Sequence, residues 1–315
     1  MKNNLLYILK KFLIMVFIMF LASFLIFVAM RLNNIDEVSL VGSAKRMTEE
    51  NRIALTEEYN LDKPVVQRYF LWLGDALHGD FGVDYETKTD VKEIVASKIP
   101  ITAGLVILSM VISIVIALPL GILCAVKRNS RTDTLLSTVL LILTSIPSFL
   151  AGLIVLVFIT IAAPGYQIIG TYSNLSEYFA RISVPSVVLA AGILASFARI
   201  TRSSMIEQLK SEYVTAAEAK GMGRLNVIIT HAFHNGCLPV LTTVSLTVGL
   251  MISGTVMIEE VFTLPGIGSC LVDAVQTYNY PLVQFLTLIM LGIFLLISFL
   301  VDIIYSIVDP RITRR

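Results

Sequence analysis

Charge is scarce in this chain. Only 15% of its 315 residues are Asp, Glu, Lys or Arg, against 56% that are hydrophobic. A soluble domain of this length needs more polar side chain to cover its surface, so the balance points to a membrane protein that crosses the bilayer several times. The three cysteines, Cys124, Cys237 and Cys270, stand singly in or near apolar stretches. With no Cys-x-x-Cys and no even pairing, no disulfide framework is expected. A net charge of +1 leaves no electrostatic footprint for nucleic acid. No Gly-x-x-x-x-Gly-Lys-Ser/Thr loop is present to cradle nucleotide phosphates, and no Gly-x-Ser-x-Gly or kinase set supplies a catalytic centre. No catalytic residue and no cofactor site is therefore expected in this chain. His231 and His234 are one helical turn apart, a spacing that can hold a metal. Neither a third ligand nor a His-Glu-x-x-His accompanies them, so they read as polar loop residues and no metal site is expected.

What the chain has is long apolar runs. A helix needs about 20 such residues to cross the hydrocarbon core. Phe12 to Met30 is a first span, preceded by Lys2, Lys10 and Lys11 and followed by no small-residue cleavage site, so it reads as uncleaved. Ile99 to Val126 is a second, Thr134 to Ala163 a third that bends or tilts at Pro147, and Ile182 to Ala198 a short fourth. Leu238 to Ile258 is a fifth. A sixth lies in the uncharged stretch Ala274 to Val301, mostly in its second half, and runs on to Ile307. The expected fold is all-α, with six transmembrane helices and both termini on one side. Lys127, Arg128 and Arg131 follow span two, and Arg199, Arg202, Lys210, Lys220 and Arg224 follow span four. Arg311, Arg314 and Arg315 lie in the tail. The positive-inside rule makes that side cytoplasmic.

The division this implies is a first transmembrane helix (1–30), an extracytoplasmic loop region (31–98) and a five-helix core (99–315) holding a cytoplasmic loop at 199–237. In the outer loop, Thr48-Glu49-Glu50 reads as a helix start, and Pro64 opens a second helical segment. Val66, Tyr69, Phe70, Leu73 and Leu77 follow helical spacing there, with Trp72 beside them. Such a helix suits the membrane interface or an external lid, and equally one packed on its own loop.

The loop between spans four and five contains SEYVTAAEAKGMGRLNVIITHAFHN, from Ser211 to Asn235. Tyr213, Ala216, Ala217 and Lys220 fall on one helical face, and Gly221 and Gly223 break the helix. Asn226 to Phe233 can form a second short helix, and Asn235-Gly236 turns the chain into span five. Small side chains allow another protein's surface to approach closely, so the pattern suits a helical hairpin that docks in a partner's groove. A solvated loop helix would look the same.

Ala216-Ala217 followed by Gly221 and the downstream Leu-Pro resemble the EAA loop of ABC importer permeases. The chain is similar from end to end to the dipeptide, oligopeptide and nickel branch of that family. The matching pieces are LDKP (61–64), HGDFG (78–82), SIPSF (145–149), ARITRSSM (198–205), HAFHNGCLP (231–239), EEVFTLPGIG (259–268) and DPR (309–311). The resemblance implies a bacterial inner-membrane permease that inserts a coupling helix into an ATPase. Glu212, Tyr213, Ala216, Ala217, Glu218, Lys220 and Gly221 would form that contact. Its partners would be a second, related permease in a heterodimer, two ATPase subunits holding ATP and Mg, and an extracellular substrate-binding protein. The cargo would be peptides, with nickel or a metal chelate as the alternative. Two positions depart from the family: Thr215 stands where many such loops have Glu, and Asn279 stands where this branch commonly has Asp.

Span five carries Thr242, Ser245, Gly249 and Ser253 on one face, and span three carries Ser145, Pro147, Ser148 and Gly152. These read as a small, polar lining for a translocation path, or as close helix packing. Glu259 and Glu260, at the end of span five, are expected at the outer mouth, because carboxylates in hydrocarbon are expensive. Asp302, inside span six, is expected to pair with a basic residue or to reach the interface. A self-contained secondary transporter would need more intramembrane charge and internal repeats, and an intramembrane metalloenzyme would need a ligand set.

Overall fold

The structure is a computed structural model that describes residues 2–32, 37–41, 48–163 and 172–308. Among these residues every regular element is helical. Five helices are long and apolar enough to cross a membrane: Leu6–Arg31, Val91–Val126, Leu175–Gln208, Thr242–Val261 and Tyr280–Ile303. Two further helices, Arg131–Ser145 and Ser148–Ala162, meet at a 93° bend. The chain divides into two units, residues 1–100 with 269–315 and residues 101–268.

In the first unit, α1 (Lys2–Arg31) packs against α14 (Tyr280–Val308). Asp302 is paired with Lys11 at 2.8 Å, so neither charge faces lipid alone. The short helix α2 (Glu37–Val41) and then α3 (Glu49–Glu58) follow. Thr48 caps α3, accepting from the Asn51 N–H at 3.4 Å, as its sequence predicts. α4 (Val65–Leu77) begins directly after Pro64. It buries Tyr69 completely against Phe20, Phe24 and Phe27 of α1 and shares a 2.7 Å hydrogen bond with Ser23. Val66, Phe70 and Leu77 stay exposed. The helix therefore docks on the first span through Tyr69 and Trp72, whose ring centre is 6.0 Å from that of Phe27, and leaves an apolar face outward, which suits an interfacial helix.

The Asn at 279 acquires a reason here. Its side-chain amide donates to Asp84, which also accepts from the Thr87 N–H at 2.6 Å and the Thr87 hydroxyl at 2.7 Å. Both Asp84 and Asn279 are buried. An Asp at 279 would set two carboxylates against each other, which cannot both stay ionised cheaply. Asn279→Asp is expected to destabilise this unit by about 3 kcal/mol, lowering the thermal midpoint of the detergent-solubilised chain. Adding Asp84→Asn should restore most of the loss.

The second unit is built on three helices that run its length: α5 (Val91–Val126), α8 (Leu175–Gln208) and α12 (Leu238–Val261). Among the described residues its apolar contacts include three successive clusters. One joins Ile101, Leu105, Ile182, Met251, Ile258 and Phe262. The next joins Ala117, Leu140, Leu194, Phe197 and Val240. The last joins Ala125, Met205, Val214, Val227 and Ala232. The bent pair, α6 (Arg131–Ser145) and α7 (Ser148–Ala162), runs beside them. α6 starts beside Arg202 near the end of α8. α7 sets Gly152 against Ile258, Val261 and Phe262, at the far end of α12, where an added Cβ would come within 3.3 Å. The pair therefore travels from one end of the unit to the other. Each half is 15 residues long, about 22 Å at 1.5 Å per residue, too short to span alone. The break falls at Ile146-Pro147, because Pro147 has no N–H to continue α6 and instead starts α7.

Two sequence expectations change. Span four is not a 17-residue minimum: the helix continues over the whole of ARITRSSM to Gln208, 34 residues in all. The stretch from Ala274 does not lead straight into span six. It ends a separate helix, α13 (Ile267–Gln276), and the chain turns at Tyr278, with φ of +54°, before α14 begins at Tyr280.

Candidate functional site

The loop between α8 and α12 is folded, and its position follows from the end of α8. Along ARITRSSM, Ala198 and Thr201 press on Gly121 of α5. A Cβ there would lie 2.6 Å from the Thr201 Cβ and 2.7 Å from the Ala198 carbonyl oxygen, so only glycine allows this crossing. One position on, Arg202 Nε donates to Asp133 Oδ1 at 2.8 Å and Nη2 to Oδ2 at 2.7 Å. Ser204 Oγ donates to the Gly236 carbonyl at 2.8 Å. Met205 is fully buried beneath the loop helices. Four consecutive jobs on one helix explain why this short stretch is so specific.

Asp133 is held as firmly as Arg202. Ser130 caps α6, accepting from the Asp133 N–H at 3.3 Å. Asp133 Oδ2 in turn accepts from the Asn129 N–H at 2.9 Å. The pair is a two-pronged guanidinium–carboxylate contact in which the acid is 5% exposed. Sequence reasoning passed over Asp133. The signal was the Ser130-x-x-Asp133 spacing of a capping box, set in an otherwise basic loop.

The loop itself consists of α9 (Glu212–Ala219), α10 (Arg224–Asn226), a π-helical segment Val227–Phe233 and α11 (His234–Gly236). α9 ends in a Schellman turn. Gly221 sits at φ +80°, its N–H donating to the Glu218 carbonyl at 2.9 Å and the Met222 N–H to the Ala217 carbonyl at 3.3 Å. Val214 and Ala217 face inward, against Met205, Val227, Ile228 and Ala232. Of the face read from sequence, Tyr213, Ala216 and Lys220 are exposed and Ala217 is packed into its own hairpin. Tyr213, 38% exposed, donates its hydroxyl to Gln208 Oε1 at 2.7 Å. Glu212, Thr215, Ala216, Glu218 and Lys220 are exposed. His231 is half-buried and His234 exposed, and no group of three His, Cys, Asp or Glu residues able to hold a metal occurs among the described residues.

At the opposite end of this unit, Glu259 also departs from expectation. It is not a solvated or mouth-facing acid but fully buried. Thr102 Oγ1 donates to Glu259 Oε1 at 2.6 Å and accepts from the Ile267 N–H at 2.8 Å. The carboxylate fills the space that a Cβ would need at Gly266 and Gly268, with the nearest atoms at 2.3 Å and 2.8 Å. EEVFTLPGIG is thus a loop folded back over its own first acid. Of the two acids, Glu260 is the exposed one.

The expected path residues differ in exposure. Ser145 and Ser253 are exposed, and each turns its hydroxyl onto its own helix, to Leu141 O at 2.9 Å and Gly249 O at 3.2 Å. Pro147 and Thr242 are exposed, and Ser148 and Gly249 are half-buried. The side chain of Ser245 and the DPR tail lie outside the described residues.

Over residues 117–314 the chain matches the binding-protein-dependent transport system inner membrane components, and it belongs to that family. It is therefore a multi-pass component of the inner membrane, whose family implies substrate-binding and ATPase partners. It is 31% identical to the dipeptide transport system permease protein DppB of Escherichia coli K12, over 89% of this chain and 90% of DppB. It is 31% identical to the oligopeptide transport system permease protein AppB of Bacillus subtilis, over 97% and 98% of the two chains. The same identity and coverage hold for the probable peptide ABC transporter permease y4tP of Sinorhizobium fredii.

Removing Asp133 leaves the Arg202 guanidinium, 31% exposed, partly solvated. Asp133→Ala is therefore expected to cost about 1 to 3 kcal/mol, the scale of a lost charged hydrogen bond, read as a lower thermal midpoint. Asp133→Ala with Arg202→Met should cost less than Asp133→Ala alone, which would measure the coupling directly.

Proposed function

We propose that the chain is one permease subunit of an ATP-driven ABC importer that moves di- or oligopeptides delivered by an extracellular binding protein. The observation that carries this reading is the near full-length likeness to permeases named for dipeptides and oligopeptides. It is joined to a loop that is folded into a helical hairpin with its own apolar core. ATP and Mg would be held by two ATPase subunits, and a second, related permease would complete a heterodimer. ATPase closure would push the hairpin, and the hairpin would carry α8 with it. The helices would then switch between discrete inward- and outward-facing packings.

The sidedness follows the same reasoning. The Asp133–Arg202 pair holds the basic loop 127–131 level with the basic end of α8, so both clusters share one face, which the positive-inside rule assigns to the cytoplasm. Counting the bent pair as one span gives six, with both termini on that face. The coupling contact would be made by Glu212, Thr215, Ala216, Glu218 and Lys220, with Tyr213, Ala217 and Gly221 holding the hairpin's shape. Ser148, Ser253 and their neighbours would line the path only once the second permease is present, and Glu260 would face the outer mouth.

Two outcomes are expected. A strain lacking this permease should lose peptide-dependent growth when it is auxotrophic for an amino acid, and unimpaired growth would remove peptides as cargo. Ala216→Asp, on the exposed face, should leave ATP hydrolysis in place and lower peptide uptake about tenfold, the loss of about 1.4 kcal/mol of contact. Ala217→Asp is not the same test, because it puts a charge into the hairpin core.

A further inference from the structure

The first unit carries a cavity of about 260 Å³, open on one side, that none of the transport machinery described above uses. At about 30 Å³ per water this is room for a small organic molecule rather than a single ion. Its boundary is made by pieces that the sequence marked without explaining. Leu61 opens LDKP and Asn60 precedes it, Asp80, Phe81 and Gly82 come from HGDFG, and Pro281 is the second residue of α14. Gly82, at φ +89°, brings its loop close enough to Pro281 that an added Cβ would lie 3.3 Å away.

The deep side of the cavity is cationic. Arg31 and Arg68 both line it, and both have side chains that are nine-tenths buried. They share one carboxylate. Arg68 takes Glu37 with both terminal nitrogens, at 2.9 and 2.5 Å. Arg31 Nη1 donates to the Phe27 carbonyl at 3.1 Å, and its guanidinium lies 3.5 Å from the Phe27 ring centre. Arg31 Nε is 3.7 Å from Glu37, too far for a hydrogen bond, and is a buried donor without an acceptor. Among the described residues this trio therefore holds two cations against one anion, with a donor unused. Burial of an unbalanced charge is costly, and an incoming carboxylate would offset it.

The rim has the opposite sign. Glu58, Asp75 and Asp80 line the cavity and are exposed. A bare anion would be repelled on entry, whereas a molecule bearing a carboxylate at one end and an ammonium at the other would match floor and rim together. Trp72 and Tyr59, between them, offer aromatic faces to the body of such a ligand and to its cation. We propose that this cavity binds a small zwitterion, a free amino acid or short peptide with both termini unblocked, its carboxylate on Arg31 and its ammonium at the Asp75–Asp80 rim. The site is read from its own charges and does not depend on which cargo the transporter moves.

Trp72 is the only tryptophan of the chain, so its emission reports on this cavity. The full chain, purified into lipid nanodiscs without a binding protein, would be titrated with dialanine, alanine, N-acetyl-dialanine, dialanine amide and acetate. Calorimetry on the same samples would register binding that leaves Trp72 emission unchanged. Saturable binding of dialanine or alanine is expected, and which of the two binds tighter tells a peptide site from an amino-acid site. Each blocked peptide should bind about tenfold more weakly or worse, the usual cost of one lost charged hydrogen bond. Arg31→Gln should weaken the unblocked ligand by a similar factor. The exposed Asp75→Asn, which does not threaten the fold, should weaken dialanine and leave N-acetyl-dialanine unaffected. The proposal is overturned if neither dialanine nor alanine gives heat or an emission change at millimolar concentration. It is equally overturned if acetate or the blocked peptides bind as well as dialanine, or if Asp75→Asn has no effect.

Discussion

The contact between Arg202 and Asp133 sets the level at which the second unit is organised. It fixes where α6 begins relative to α8, and α6 leads through the Pro147 break into α7. The same turn of α8 carries Thr201 against Gly121, Ser204 against Gly236 and Met205 under the loop hairpin. An ion pair with one buried partner is poor evidence of net stability, because desolvation cancels much of the attraction. Its value here is specificity. Its two-pronged geometry tolerates no slide along the helix axis. Displacing the end of α8 therefore displaces the start of α6 with it.

The far end of the unit is closed by a different device. Glu259 is surrounded by its own following loop, tied through one Thr102 hydroxyl that both donates and accepts. The glycines at 266 and 268 are absent side chains, and their absence makes room for the carboxylate. α7 lies against the same end of α12 through Gly152. The bent pair therefore connects a cluster fixed by charge at one end to a loop fixed by a buried acid at the other. The hinge between them is the one place where the backbone ladder is interrupted, at Ile146-Pro147. Such a layout permits two discrete packings without unfolding any helix, though coupling along it is a matter for measured energies rather than adjacency.

Much of this was legible in the sequence, for local reasons. Apolar runs mark the spans, Pro147 marks the break, and Thr48 and Pro64 mark the starts of α3 and α4, because each depends on residues within a turn or two. What was not legible depends on partners far along the chain. Asp133 meets Arg202 across 69 positions and Thr102 meets Glu259 across 157. No periodicity within either segment announces the other. The inward face of α9 shows the same limit. Ala216 and Ala217 are alike in type, and only Met205, Val227 and Ala232, brought together by tertiary packing, decide that Ala217 turns in.

The two departures from the family pattern separate cleanly on these grounds. Asn279 is explained by its neighbour: with Asp84 fixed by two Thr87 donors, the amide adds a third donor where a second acid would bring repulsion. Thr215 is explained by exposure. It lies on the outer face of α9 and donates its hydroxyl only to the Ser211 carbonyl at 3.3 Å, so nothing within the chain demands a carboxylate there. A residue constrained by its own fold is read from its contacts. A residue free of them is constrained from outside, and in the proposed coupling contact the missing charge at 215 would leave shape around Ala216, rather than an ion pair, to set the fit.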